Sequence, residues 1–190
     1  MTRPELEEIL AAERKLYLGA HPNMLMLRLF PEMRYVIWRC LESFRRMQYW
    51  HEVKNSSNIS WLKRTMAKLR YYHYNRKYFR YSCLCGVELA SDVHIGRMCN
   101  IWHCGVVVNG DLGDNCVLHG YNTIGNKGVG RGAERPVLGN GVDVGIGAVV
   151  IGKVRIADRC MIGANAAVVK SVDEPDSIVV GVPGKVLKRS

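Results

Sequence analysis

The sequence of 190 residues predicts a mainly β chain with an α-helical N-terminal part, in which a small helical domain precedes a parallel β-helix. Two observations carry this prediction. Aromatic residues and positive charge are concentrated before residue 86, whereas glycine and a six-residue repeat are concentrated after it. With 48% hydrophobic residues, the composition is that of a globular chain, which argues against a disordered or fibrous protein.

The N-terminal domain, predicted for residues 1–85, is basic and aromatic. It holds sixteen Lys and Arg against seven Asp and Glu, and fourteen of the sixteen aromatic residues of the chain. Its apolar residues recur at three- and four-residue spacings, which is typical of amphipathic helices. Pro22 and Pro31 lie near expected helix starts, and Ser60 is the expected N-cap of a helix that begins at Trp61.

The segment 61–81 carries seven Lys and Arg, several aromatic residues and no acidic residue. Such a segment suits contact with an anionic membrane surface or with nucleic acid. The alternative is a helix whose tyrosines pack on the β-helix while its arginines remain in water. No nucleic-acid-binding motif accompanies the segment, so we expect no nucleic-acid partner, and both peripheral membrane contact and packing remain open.

Cellular location and redox state follow from what the sequence contains. No stretch approaches the roughly 18 apolar residues of a membrane span, and the first residues do not resemble a secretory signal. We therefore predict a cytoplasmic protein, with contact at the inner face of the membrane as an open alternative. The seven cysteines lack the spacing of a zinc site, so we expect reduced thiols and no metal.

A six-residue period defines the second predicted domain, residues 86–190. Aliphatic residues occupy every sixth position from Leu138 to Val168, and small or aliphatic residues follow four positions after each of them. No helix or ordinary strand has this period, whereas each hexad of a β-helix supplies one short strand and one turn. The period is interrupted at about 125–137, which predicts an excursion loop, and a C-terminal tail ends the domain. A β-sandwich is the alternative, but it would show period two.

Five motifs of this domain, taken in order, resemble a known family. They are IWHCGVVVN, LHGYNTIGNKG, RPVLGNGVDVGIGAVVIG, IGANAAVVKSV and VVGVPGKVL. They resemble the left-handed β-helix acyltransferases with hexapeptide repeats, in the serine acetyltransferase branch that includes short capsule and exopolysaccharide O-acetyltransferases. The resemblance implies left-handed winding, a homotrimer and acetyl-CoA bound as cosubstrate in the clefts between subunits, with no metal.

The resemblance places His103, in the motif IWHCG, at the position of the family's catalytic histidine. Transfer of an acetyl group from a thioester to a hydroxyl requires a base that accepts the hydroxyl proton, and imidazole suits this role at neutral pH. We therefore expect His103 to act as the general base. His94 and His119 are expected to be ordinary polar residues of the surface.

Six positions match residues that bind acetyl-CoA in the family: Ile146, Gly147, Ala164, Val169, Lys170 and Lys185. The resemblance implies that the first three line the pantetheine arm and the last three the nucleotide end. Val169 replaces a threonine of the family, so a hydroxyl contact is lost. Lys170 and Lys185 suit phosphate groups, and the alternative for both is a solvated surface charge.

The positions that hold the acceptor in serine acetyltransferases differ here. Trp102 replaces an aspartate, and Glu134 and Arg135 replace an Arg-His pair before Pro136. An indole beside the acceptor is typical of a platform for a sugar ring, although Trp102 could equally pack at a trimer contact.

The sequence therefore predicts an acetyl-CoA-dependent O-acetyltransferase that acts on a sugar or cell-surface polysaccharide hydroxyl, with a small molecule or glycan as acceptor. Serine O-acetyltransferase of cysteine biosynthesis is the alternative. A non-catalytic trimer that binds a membrane or nucleic acid is a further one.

Overall fold

The computed structural model describes residues 1–20 and 22–187, so the last three residues of the predicted C-terminal tail lie outside the described part. The chain divides into two compact units, Met1–Gly86 and Val87–Ser190. The first unit contains helices α1 (Arg3–Leu18), α2 (Met24–Leu29), α3 (Met33–Asn55) and α4 (Trp61–Cys85).

The second unit is built from short strands. They are β1 (Val87–Leu89), β2 (Asn100–Ile101), β3 (Val106–Val108), β4 (Asp111–Leu112), β5 (Val117–Leu118), β6 (Thr123–Gly125), β7 (Val137–Leu138), β8 (Asp143–Val144), β9 (Val149–Ile151), β10 (Arg155–Ile156), β11 (Met161–Ile162), β12 (Ala167–Val168), β13 (Ile178–Val180) and β14 (Lys185–Leu187).

Local sequence signals set the ends of the helices. At the start of α1, Thr2 and Glu5 form a capping box, in which each side chain accepts a hydrogen bond from the other residue's backbone N–H. The predicted N-cap of α4 is confirmed, because the Ser60 hydroxyl accepts from the Lys63 N–H at 3.4 Å. Gly86 ends α4 in the left-handed region, with φ of +62°.

Helices α3 and α4 run antiparallel along their length. Ring contacts join Phe44 to Tyr78 at 5.4 Å and His51 to Tyr71 at 5.6 Å, so the residue number falls on one helix as it rises on the other. Tyr81 likewise lies under Arg39 of α3. Tyr71, Tyr78 and Tyr81 of α4 therefore pack on α3, whereas the sequence interpretation expected the tyrosines to pack on the β-helix.

A buried ion pair joins α1 to α3. Arg45 donates to both carboxylate oxygens of Glu13, from Nε at 2.8 Å and from a terminal nitrogen at 2.5 Å. Both side chains are at most 5% exposed. Buried charges in this geometry satisfy each other's hydrogen-bonding groups, so the pair fixes one contact between α1 and α3.

Three sheets form the second unit, and almost all their pairings are parallel. The orders are β1-β3-β6-β9-β12, β10-β7-β4 and β14-β13-β11-β8-β5-β2, with only the β13–β14 pair antiparallel among the described strands. From β3 to β12 the chain enters the three sheets in strict rotation. This connectivity is what a three-sided parallel β-helix requires.

The six-residue period is explained by this rotation. Three hexads return the chain to the same sheet, so Leu138 pairs with Ile156, and Val144 pairs with Ile162. These aliphatic side chains are at most 2% exposed and stack on one another in the interior. Cys99, Cys116 and Cys160 are fully buried, as the repeat predicted. Burial raises the pKa of the Cys116 thiol to about 11, so this thiol stays protonated at neutral pH.

The predicted excursion loop corresponds to the segment between β6 and β7. Strand β6 ends at Gly125 and β7 begins at Val137, and the intervening residues form no strand. None of the helices in the described part of the chain combines the length and the apolar character needed to cross a bilayer.

Candidate active site

His103 lies in a bend between β2 and β3, and its side chain is exposed. The strands on either side are anchored by Ile101 and Val106, which are almost completely buried. Among the described residues, no hydrogen bond engages the imidazole of His103. The ring is therefore exposed and not engaged by any other described side chain.

Backbone hydrogen bonds stack the bend of His103 on three later turns. Tyr121 N–H donates to the Cys104 carbonyl at 3.0 Å, Gly147 N–H to the Gly120 carbonyl at 2.9 Å, and Asn165 N–H to the Ile146 carbonyl at 2.9 Å. We call these four turns, residues 103–105, 120–121, 146–147 and 164–165, the turn column. The structure thus brings His103 into one column with Ile146, Gly147 and Ala164.

The turn column depends on glycine where backbones approach closely. A Cβ atom placed on Gly120 would lie 2.7 Å from the Cβ of His103, and φ of Gly120 is +116°. A Cβ on Gly105 would lie 2.6 Å from the Tyr121 ring. Any side chain at Gly120 would therefore both strain the backbone and displace His103.

Asn122 supports this turn from inside and was missed from the sequence. Its side chain is completely buried, accepts from Gly120 N–H at 2.9 Å and donates to the Gly145 carbonyl at 2.7 Å. The signal was present, because Asn122 follows Leu118 by four positions, where the repeat otherwise places small or aliphatic residues. A buried amide at such a position indicates hydrogen bonds to the backbone.

His119 was predicted to be an ordinary polar residue of the surface. The structure corrects this prediction, because the His119 ring contacts two other side chains. Its ring lies 4.4 Å from the Trp102 ring, and its Nε2 lies 2.8 Å from the Asp143 carboxylate. Strands β2, β5 and β8 are neighbours in one sheet, which brings the three residues together. Trp102 remains 42% exposed, but its contact with His119 limits the indole surface left for a ligand. His94, in contrast, is exposed.

Cys104 and Tyr121 form a polar rim beside His103. The Cys104 thiol lies 3.5 Å from the Tyr121 hydroxyl, and this hydrogen bond raises the pKa of Tyr121 above its ordinary value. Tyr121 has φ of +54°, which non-glycine residues rarely adopt, and its ring is largely exposed. Asn115, Arg159 and Asn165 in other turns have φ of +58°, +56° and +57°, so this backbone geometry recurs along the β unit and does not by itself mark a site.

Glu134 and Arg135 are held in ion pairs of their own. Glu134 lies 3.4 Å from Arg131, and Arg135 lies 2.8 Å from Asp92. Within the described part of the chain, neither side chain forms a hydrogen bond or ion pair with His103 or Trp102. The structure therefore does not join these two predicted acceptor residues to the turn column.

The remaining predicted donor residues are on the surface. Val169, Lys170 and Lys185 are exposed, and neither lysine forms an ion pair within residues 1–20 and 22–187. Over the same residues, no group of three or more His, Cys, Asp or Glu side chains is placed to hold a metal ion.

Comparison with known proteins identifies what this chain is similar to. No model of a protein family matches it. Over 110 residues it is 39% identical to a serine acetyltransferase of Mycobacterium tuberculosis, and the match covers 56% of this chain and 48% of that protein. The chain thus spans about half the length of the curated relatives it matches.

Solved structures agree with the sequence relatives. The crystal structure of Neisseria gonorrhoeae serine acetyltransferase has a TM-score of 0.68 and 25% identity, covering 98% of this chain and 68% of that one. Serine acetyltransferase from Brucella abortus in complex with coenzyme A has a TM-score of 0.68, 20% identity and coverage of 97% and 68%. At 20% identity, the second likeness establishes the fold alone.

These findings overturn the predicted acceptor. The relatives and the structural neighbours are named serine acetyltransferases, so the interpretation of the chain as a sugar or polysaccharide O-acetyltransferase is wrong. The capsule and exopolysaccharide branch likewise finds no support. The incorrect prediction rested on Trp102 and on the pair Glu134 and Arg135, and the identity to named serine acetyltransferases is the finding that decides against it.

Proposed function

We propose that the chain is an acetyl-CoA-dependent serine O-acetyltransferase with the left-handed β-helix of the hexapeptide-repeat acyltransferases. The observation that carries the proposal is the 39% identity to a curated serine acetyltransferase. The rotation of the strands through three parallel sheets and the exposed His103 at the turn column support it. Homotrimer formation belongs to the same proposal, supported by outward apolar residues such as Met161 and Ile146.

In the proposed reaction, His103 accepts the proton of the serine hydroxyl as the oxygen attacks the thioester carbon of acetyl-CoA. A C–O bond forms, the thioester carbonyl becomes a tetrahedral oxyanion, and the C–S bond then breaks. The departing CoA thiolate takes the proton from His103, which leaves O-acetylserine, free CoA and a neutral imidazole. Because the base returns to its starting state, no metal or redox partner is needed to balance the reaction.

The donor side of the site is proposed along the turn column. Exposed backbone at Ile146, Gly147 and Ala164 would flank the pantetheine arm, in line with His103. Lys170 and Lys185 would pair with phosphate groups. Neither lysine has a carboxylate partner among the described residues, so both are available for this pairing. Val169 has no hydroxyl and would contribute only apolar contact.

On the acceptor side, we propose that Trp102 borders the serine beside His103. Its indole is ordered by His119, which Asp143 holds in turn. Participation of Glu134 or Arg135 requires that their ion pairs with Arg131 and Asp92 open first. An arginine released in this way is suited to the carboxylate of an amino acid, because a guanidinium binds it through two hydrogen bonds.

The proposed function is tested by release of free CoA from acetyl-CoA in the presence of L-serine. We expect turnover with L-serine at ordinary enzyme rates, on the order of 1–10³ per second, and formation of O-acetylserine seen by mass spectrometry. L-alanine, which has no hydroxyl, serves as the matched control acceptor. CoA release at the same rate with L-alanine, or no acetylserine, would overturn the proposal.

Gly120→Ala should reduce acetyl transfer at least about tenfold, because the new methyl group displaces His103 by more than a near-attack geometry tolerates. Gly128→Ala is a matched control, since Gly128 has a similar φ of +107° but no atom within 4 Å of the added Cβ. Both variants place an alanine at a positive φ of similar size. Equal activity of the two variants would show that contact with His103 is not what Gly120 protects.

A further inference from the structure

One face of α4 carries large apolar side chains that are exposed in the helical unit. They are between 48% and 79% exposed: Trp61, Leu62, Met66, Leu69, Tyr72 and Phe79. At 3.6 residues per turn, these positions span an arc of about 140° of the helix circumference. We call this arc the outer face of α4.

The outer face is opposite the side by which α4 joins its unit. Ala67 and Cys85 are the buried residues of α4, and Tyr71 and Tyr78 contact α3 on that same side. No described residue of the helical unit covers the outer face to the extent that α3 covers the inner one. Several large apolar side chains exposed together on one helix face are typical of a surface that contacts another molecule or a membrane.

Positive charge flanks the outer face and also lies on its C-terminal half. The helix carries seven Lys and Arg and no Asp or Glu: Lys63, Arg64, Lys68, Arg70, Arg76, Lys77 and Arg80. Among the described residues, none of the seven forms an ion pair with a carboxylate. Lys63 and Arg70 border the arc on one side and Lys68 borders it on the other. His73, Arg76 and Arg80 lie within the arc on its C-terminal half, and with Lys77 they line a shallow surface depression.

We propose that the outer face of α4 binds the surface of an anionic lipid bilayer. The apolar side chains would enter the boundary between headgroups and acyl chains, and the flanking Lys and Arg would contact lipid phosphates. A second copy of the same face would oppose two sets of like charges with no acidic residue between them. Nucleic acid would satisfy the charges but would leave Leu62, Met66 and Leu69 in water. A bilayer accommodates both properties, and the proposal is independent of the acetyl-transfer reaction.

The test is flotation of the full chain with vesicles of phosphatidylcholine, alone or mixed with phosphatidylglycerol. We expect the protein to float with the mixed vesicles at low salt and to be released as salt rises, because screening weakens the attraction. Leu62→Ser/Leu69→Ser and Arg76→Glu/Arg80→Glu should each lower partitioning at least about tenfold. Leu25→Ser/Leu29→Ser, which removes two equally exposed leucines from α2, is the matched control and should not.

Three outcomes would overturn the proposal. The first is absence of flotation with either vesicle, and the second is equal binding to neutral and anionic vesicles. The third is a change in assembly mass, measured by light scattering, when Leu62 and Leu69 are replaced. That result would show that the outer face is an interface between copies of the chain.

Discussion

His103→Ala should lower the turnover of acetyl transfer at least about a hundredfold, the usual contribution of a general base, because a serine hydroxyl loses its proton poorly without one. The Michaelis constant for acetyl-CoA should change much less, since the proposed donor contacts lie elsewhere on the turn column. Initial rates of CoA release at saturating serine measure the effect. Added imidazole should restore part of the lost rate by entering the space that the side chain leaves.

His94→Ala is the matched control for this variant. His94 is an exposed histidine of the same unit, and its backbone N–H donates to Asp111 without using the ring. It should retain the parent turnover. Because His103 is exposed, neither variant should change the circular dichroism spectrum or the assembly mass. Near-parental activity of His103→Ala would remove the assignment of the general base, whatever the acceptor.

Arg45→Met should reduce the free energy of unfolding of the helical unit by about 3–5 kcal/mol, the usual cost of leaving one buried charge without its partner. The remaining Glu13 carboxylate is 1% exposed, so water cannot replace the two hydrogen bonds that Arg45 donates. Urea unfolding followed by helical circular dichroism measures the change, since the described helices all belong to the first unit.

Two variants separate the charge effect from loss of packing. Glu13→Leu/Arg45→Met removes both charges, and its stability should lie much closer to that of the parent chain, because an apolar pair of similar volume needs no hydrogen bonds. Glu7→Gln weakens a more exposed pair, with Arg46, and should cost at most about 1 kcal/mol. If the double replacement is as unstable as Arg45→Met, shape and not charge accounts for the loss.

The β unit could be predicted from the sequence because its core is a local repeat. Each inward aliphatic residue meets the residue three hexads away, as Leu138 meets Ile156, so a period read along the chain is also a stack in space. The N-cap at Ser60 and the buried cysteines were predictable for the same reason, because each depends on neighbours at a known spacing.

The side-chain contacts that order the candidate site could not be predicted from the sequence. The link between Trp102, His119 and Asp143 depends on side-chain rotamers at three places in one sheet, which the six-residue period does not specify. The incorrect sugar acceptor came from interpreting Trp102, Glu134 and Arg135 by residue type alone. Residue type does not show that Trp102 contacts His119 or that Glu134 and Arg135 are held in ion pairs.

By itself, the sequence determined that a basic helical segment precedes a repeat of inward aliphatic residues, and it singled out His103 within the motif IWHCG of that repeat. Only the tertiary structure decided that the bend of His103 stacks on the turns of Gly147 and Asn165, that Asn122 supports it from inside, and that Arg45 neutralises Glu13. The physical reason is the separation along the chain of the residues that make each contact. Burial of a repeating apolar pattern follows from near-neighbour spacing, whereas a buried amide or ion pair exists only once distant segments have excluded water around it.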